Sequence, residues 1–379
     1  MSFDIEKFVI IDHHAHSLLK SFRELDEIGF RQSFTESRSM SIIKDHMPKT
    51  VHYIDMVDHL KRIFDVKTEQ DFLSFRMQQS PSGFIQMLWD DVSLGGMIID
   101  DGFNSAESMG LDELAHLSGR PIYHCRRIET IIEACIADAD NFAELSKNFK
   151  KKLLAKNKHQ TVSLKTICGY RGGLELLHPS EADAKLDFDK WKQESAKQGK
   201  LRIQKSPLYH YLLLQAFEIA AEAKIPIQVH SGIGDDDADL VKCNPALMQN
   251  LFRSRAFAKC TFVMLHCYPY IREAAIMCSL YGNVYMDLSL SMSLASPNSA
   301  SMVSEALAVA PASKLLAASD GHSCPESHWY GALCWKRGLN YCLLEMINEG
   351  LITQREAEEI AALILHNNAI SLYKLEGLA

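Results

Sequence analysis

Phe8-Val9-Ile10-Ile11-Asp12-His13-His14-Ala15-His16 is a short apolar run that stops on a cluster of histidines. An apolar run rich in β-branched residues reads as a strand, Phe8–Asp12. Strand periodicity then puts His14 and His16 on one face, with Asp12 beneath them. Two imidazoles projecting together from a strand end suit a divalent metal such as zinc. A pair of hydrogen-bonded structural histidines accounts for the stretch equally well, so its weight comes from repetition further along the chain.

Seven more apolar runs follow: Met97–Asp101, Pro121–His124, Thr161–Ile167, Ile225–His230, Thr261–His266, Asn283–Leu288 and Leu315–Ser319. Helical patterns separate them; Leu213, Ala216, Phe217 and Ala220 form one apolar face, with Gln215, Glu218 and Glu222 opposite. Strands alternating with helices over 379 residues predict α/β architecture, a (β/α)8 TIM barrel. Two of the later runs end on His230 and His266, and the last is followed by Asp320. A lone histidine at such a place is more often structural. Barrel closure, however, brings all strand ends to one rim, where His14, His16, His230, His266 and Asp320 become a set of metal-binding side chains. Lys165 sits inside Thr161–Ile167, where lysine is disfavoured unless paired. Either it is salt-bridged or snorkelling, or burial lowers its pKa and the neutral amine captures carbon dioxide. The resulting carbamate is a carboxylate able to bridge two metals.

The chain reads as a single barrel domain, 1–379, with two connections too long for simple βα units. The first holds helical stretches such as Val51–Phe64, which predicts a helical insertion over 20–92 covering the active-site face. Thr353 and Glu356 form a capping box before a C-terminal helix, Glu356–Tyr373.

Hydrophobic residues make up 47% of the chain and charged residues 23%, enough for a sizeable core. A net charge of −8 argues against a dedicated nucleic-acid binder. The basic cluster Lys150-Lys151-Lys152 with Lys156 and Lys158 reads as a solvated helix face. Met1–Lys7 carries no signal-peptide pattern, and no apolar run approaches the ~20 residues of a membrane helix. Ten scattered cysteines without a CxxC pair read as reduced thiols. The expectation is a cytoplasmic protein that binds a small-molecule substrate and neither nucleic acid nor membrane, with homo-oligomerisation left open.

The whole set of strand-end ligands resembles the amidohydrolase superfamily. Gln228-Val229-His230-Ser231-Gly232-Ile233-Gly234-Asp235, Leu265-His266-Cys267-Tyr268-Pro269 and Ser319-Asp320-Gly321-His322 are similar to its amidohydrolase-2 branch, most nearly to the amidohydrolase-like half of nodulin/glutamine-synthetase fusion proteins. Asn368-Ala369 and Leu372-Tyr373 resemble that branch's C-terminal signature. The resemblance implies a metal-dependent hydrolase acting on an amide or ester carbonyl. It implies one metal on His14, His16 and Asp320 and a second on His230 and His266, with carbamylated Lys165 bridging. Zinc is expected, with manganese or iron as alternatives. Asp320, with His266, is the candidate catalytic residue, and Asp320 carries the proton. Of the polar residues beside the strand ends, Tyr170, Arg171, Tyr268 and His322 are candidates for substrate binding. Arg171 either clamps a substrate carboxylate or pairs internally, with Glu175 as partner. Tyr270 and Arg126-Arg127 also stand near strand ends, and Asp235-Asp236-Asp237 reads as an exposed helix start. Decarboxylation and uronate-type isomerisation use similar ligands and stay open, as does a catalytically silent metal-binding protein.

Overall fold

Aliphatic runs too short for helices pair side by side in chain order. The computed structural model describes residues 3–103, 106–155, 158–198 and 201–377. In it β1 (Ile10–Ala15), β2 (Leu94–Asp100), β3 (Ile122–Arg127), β4 (Thr161–Thr166), β5 (Ile227–His230), β6 (Phe262–Leu265), β7 (Val284–Asp287) and β8 (Leu315–Leu316) form one parallel sheet in sequential order. With helices following the strands this is a (β/α)8 barrel. Its interior is filled by Ile11, Ile98, Tyr123, Val162, Val263, Leu265 and Leu316, and plugged at one end by Ala369, Tyr373 and Leu375.

Strand boundaries differ from expectation where polar side chains find partners. β1 starts two residues later and runs on to Ala15, because His13 and His14 are fully buried and bonded inside the barrel. β3 continues through Arg126 and Arg127: Arg126 bonds the carbonyls of Lys152 and Leu153, and Arg127 bonds Asp100. β8 is only two residues long, so the seam to β1 closes by separate bonds. His13 N–H donates to Ala317 O (3.3 Å) and Asp320 N–H to His14 O (3.0 Å). Asp12 completes the seam by accepting Ser319 N–H at 3.0 Å and the Ser319 hydroxyl. Burial pushes the Asp12 carboxyl up to about 7.

Between β1 and β2 the chain folds into helices Val51–Ile63, Glu69–Gln78 and Pro81–Asp91, preceded by shorter turns. Thr68 and Asp71 form a capping box, and Ser80 caps the helix that Pro81 opens. Their aromatic faces pack together through Phe30, Phe64, Phe72 and Phe84. Two deeply buried contacts tie this segment to the helix Pro325–Asn348: Arg76 to Glu326 at 3.2 Å, and Trp89 Nε1 to Pro325 O at 3.2 Å.

The expected C-terminal helix is interrupted. Gln354–Ala362, opened by the Thr353/Glu356 capping box, passes through a widened π-turn at Leu363–Asn367 into Asn368–Tyr373. The Ile364 carbonyl accepts Ala317 N–H at 3.1 Å, which draws it away from the helical ladder. Asn368 donates to Ala312 O and Leu315 O, both at 2.8 Å. All ten cysteines are free and buried. Lys150 and Lys151 are exposed as expected, and Lys156 lies outside the described residues. Among the described residues no helix is long and apolar enough to cross a membrane.

Candidate metal centre

β1, β4, β5, β6 and the end of β8 bring all six expected side chains together. His14 Nε2 lies 3.0 Å from Asp320 Oδ1 and 3.1 Å from Lys165 Nζ. His16, one residue past β1, places Nε2 3.4 Å from the same Oδ1. His266 Nδ1 is 3.7 Å from Asp320 Oδ2, and the His230 ring centre is 4.5 Å from that of His266. One nitrogen or oxygen each from His14, His266 and Asp320 falls within a 4.8 Å span.

Two of these residues hold left-handed backbone: φ is +66° at His266 and +54° at Asp320. Such a conformation costs a non-glycine residue on the order of 1–3 kcal/mol and persists only where the surroundings enforce it. At His266 the enforcing bonds run from its N–H to Asp287 Oδ1 (2.5 Å) and from Ser291 hydroxyl to its carbonyl (2.7 Å). At Asp320 the bond to His14 O does the same. Glycine is required at Gly234, where a Cβ would overlap the Tyr170 hydroxyl and stand 2.7 Å from His230 Nε2.

The electrostatics favour unprotonated donors. Burial lowers His14 to about 3, assisted by the Lys165 charge, and lowers His266 to about 4. His230 falls well below its usual value, first by burial and then by His266. Burial also lowers Lys165. Asp320 goes the other way: burial acts to raise it, but His266, then His14 and His16, outweigh that and hold it well below the carboxylate range. His16 Nδ1 donates to Asp100 O at 2.9 Å, which turns Nε2 towards the Asp320 carboxylate. Asp320 Oδ1, which faces the Nε2 atoms of His14 and His16, and His230 Nε2 are buried without a hydrogen-bond partner. Acceptors converging on acceptors in a buried space are what a cation resolves, so the residues fit a divalent metal.

The centre floors a cavity of about 420 Å³. Tyr170, Arg171 and His322 line it as expected. The Tyr170 ring lies 4.3 Å from that of His230, and its hydroxyl accepts Asp235 N–H at 3.1 Å. Arg171 pairs with Glu133 at 3.4 Å, not with Glu175. Burial lowers His322 to about 4. Tyr268 does not line the cavity. The β6 loop runs along the β5 loop there, with Ile233 N–H on Tyr268 O at 2.7 Å, and the Tyr268 ring packs on the core. Tyr270 caps the next helix and Arg126 is turned away, whereas Arg127 lines the wall. Asp235 to Asp237 form a turn instead of a helix start; Asp235 lines the cavity, and Asp237 pairs with Arg202. Sequence reading missed Glu36, Arg38, Phe103 and Arg202 in the wall, and Asp287 and Ser289 behind His266. Asp287 carried a usable signal, since it ends β7 as Asp320 follows β8.

The parallel barrel that carries this clustered histidine–carboxylate rim is an arrangement the chain shares with known proteins. The amidohydrolase family model matches residues 191–375. The fluG protein of Emericella nidulans is 25% identical over 98% of this chain, which spans 46% of that protein's length. A candidate metal-dependent hydrolase from Lactobacillus casei has the same fold at TM-score 0.85, with 26% identity over 98% of this chain and 96% of its own. A uronate isomerase from Bacillus halodurans shares the fold alone, at TM-score 0.66 and 10% identity over 98% of this chain and 94% of its own. The chain is thus similar to amidohydrolases over its C-terminal half and, along nearly its whole length, to part of fluG.

Proposed function

We propose that this protein is a metal-dependent hydrolase of small, carboxylate-bearing amides or esters. One observation carries the reading: unprotonated imidazoles, a buried lysine and an ionised aspartate converge on the floor of one cavity. In this reading His14, His16 and Asp320 would hold one zinc ion, and His230 and His266 would hold a second. Lys165 meets an imidazole nitrogen rather than a carboxylate, and its lowered pKa favours the free amine. That amine would add to carbon dioxide, forming an N–C bond and releasing one proton, which gives a carboxylate able to ligate metal. A bound divalent ion lowers the pKa of water to about 7 and polarises a carbonyl.

The chain's own residues do the rest. Asp320 accepts the proton of the attacking water and returns it to the leaving nitrogen or oxygen, a transfer worth about 10²–10⁴-fold in rate. Arg171 is nearly buried, its Nε has no partner and its bond to Glu133 is long, which leaves the guanidinium able to grip a substrate carboxylate. Tyr170 and His322 form the walls beside it.

The test is a screen of zinc-reconstituted protein against N-acyl amino acids, dipeptides and lactones, followed by Asp320→Asn on any substrate found. The variant should fold normally and lose at least about 100-fold in kcat. Activity within threefold of wild type would remove Asp320 from proton transfer.

A further inference from the structure

Beside His266 a set of fully buried polar groups has no part in the steps above. Asp287 Oδ1 accepts the backbone N–H groups of His266 (2.5 Å) and Ser289 (3.1 Å). It lies 2.9 Å from the Ser289 hydroxyl, which lies 2.7 Å from His266 Nδ1. Asp287 Oδ2 is 2.8 Å from His13 Nε2, and His13 Nδ1 is 3.1 Å from the Tyr373 hydroxyl. Asp287, Ser289, His13 and His266 are each no more than 1% exposed.

Proton counting settles the direction of these bonds. A hydroxyl has one hydrogen. A carboxylate oxygen already pinned by two backbone N–H groups is an acceptor, so the Ser289 hydrogen goes to Asp287. The short contact between Ser289 and His266 then holds only if Nδ1–H donates to Oγ. Nε2 is left as the lone-pair nitrogen of His266.

We infer that Ser289, oriented by Asp287, is a positioning residue that fixes His266 as the Nδ1–H tautomer and so leaves Nε2 as its one nitrogen able to ligate a metal. A ligating histidine is commonly held through its other nitrogen by a carboxylate or carbonyl, and losing that partner typically costs 10–100-fold in metal affinity. Here a serine stands between carboxylate and imidazole and relays the same orientation. Its consequence for metal binding rests on the hydrolase reading above; the tautomer does not.

Two measurements separate them. In metal-free protein labelled with ¹⁵N-histidine, His266 is assigned by comparison with His266→Gln, and its long-range ¹H–¹⁵N pattern reports the tautomer. Wild type should show Nδ1–H. Ser289→Ala should shift His266 towards Nε2–H, and Ser289→Thr, which keeps the hydroxyl, should restore the original pattern. Zinc affinity by chelator competition should then fall about 10–100-fold in Ser289→Ala and recover in Ser289→Thr. An Nε2–H tautomer in wild type, or a Ser289→Ala variant that keeps Nδ1–H and binds zinc within twofold of wild type, overturns the inference. Wild type showing Nδ1–H but binding no zinc would leave the tautomer assignment standing and bring down the hydrolase reading.

Discussion

Lys165 is a lysine in the interior of a buried strand, only 2% exposed, where a permanent ammonium forfeits several kcal/mol of hydration. Carbamylation would replace the ammonium with a carboxylate that bound cations can neutralise, and Lys165→Ala tests it. The variant should lose about one metal per chain and most activity, and propionate added with zinc should partly restore both. Full metal content with undiminished activity would show that Lys165 is not a ligand. His210 gives a pH prediction remote from the centre. Its Nδ1 accepts Leu177 N–H at 2.8 Å, and burial lowers it to about 4. The native state therefore holds the neutral ring while the unfolded chain protonates near 6.5. Stability from this site is complete above that value and is lost as pH falls towards 4. Between pH 7 and pH 5 urea unfolding should show His210→Gln losing about 2 kcal/mol less than wild type. Identical losses would place the ring in an ordinary solvated state.

At the scale of elements, the segment between β1 and β2 is fastened to the barrel by one fully buried ion pair, Arg76 with Glu326. Removing one partner strands the other charge, so Arg76→Ala should cost about 3–5 kcal/mol in denaturant unfolding. Arg76→Met with Glu326→Leu should recover most of it, since a buried pair seldom outperforms a well-packed apolar one. A loss below about 1 kcal/mol for Arg76→Ala would mean the pair is hydrated. All eight strands were legible from short apolar runs, but their ends were not. β1 and β3 extend through histidines and arginines whose partners come from distant segments, such as Asp287 for His13 and Asp100 for Arg127. The π-turn was invisible for the same reason: the bond that opens it comes from Ala317.

For the whole molecule, closure of the barrel converts separate strand ends into one site. The six candidate ligands were therefore readable from chain position alone, each at the stop of an apolar run or, for Lys165, within one. The cavity wall was not. Glu36 and Arg38 enter from the β1–β2 segment, and Arg202 from the long β4–β5 connection, and no periodicity reports where such segments fold back. The proposed function unites the clustered histidines, the facing acceptors and the buried lysine in a divalent-metal centre. Elemental analysis of protein purified without chelator tests this most directly. The account predicts close to two transition-metal ions per chain, zinc foremost; a value near zero that persists after zinc reconstitution would contradict it.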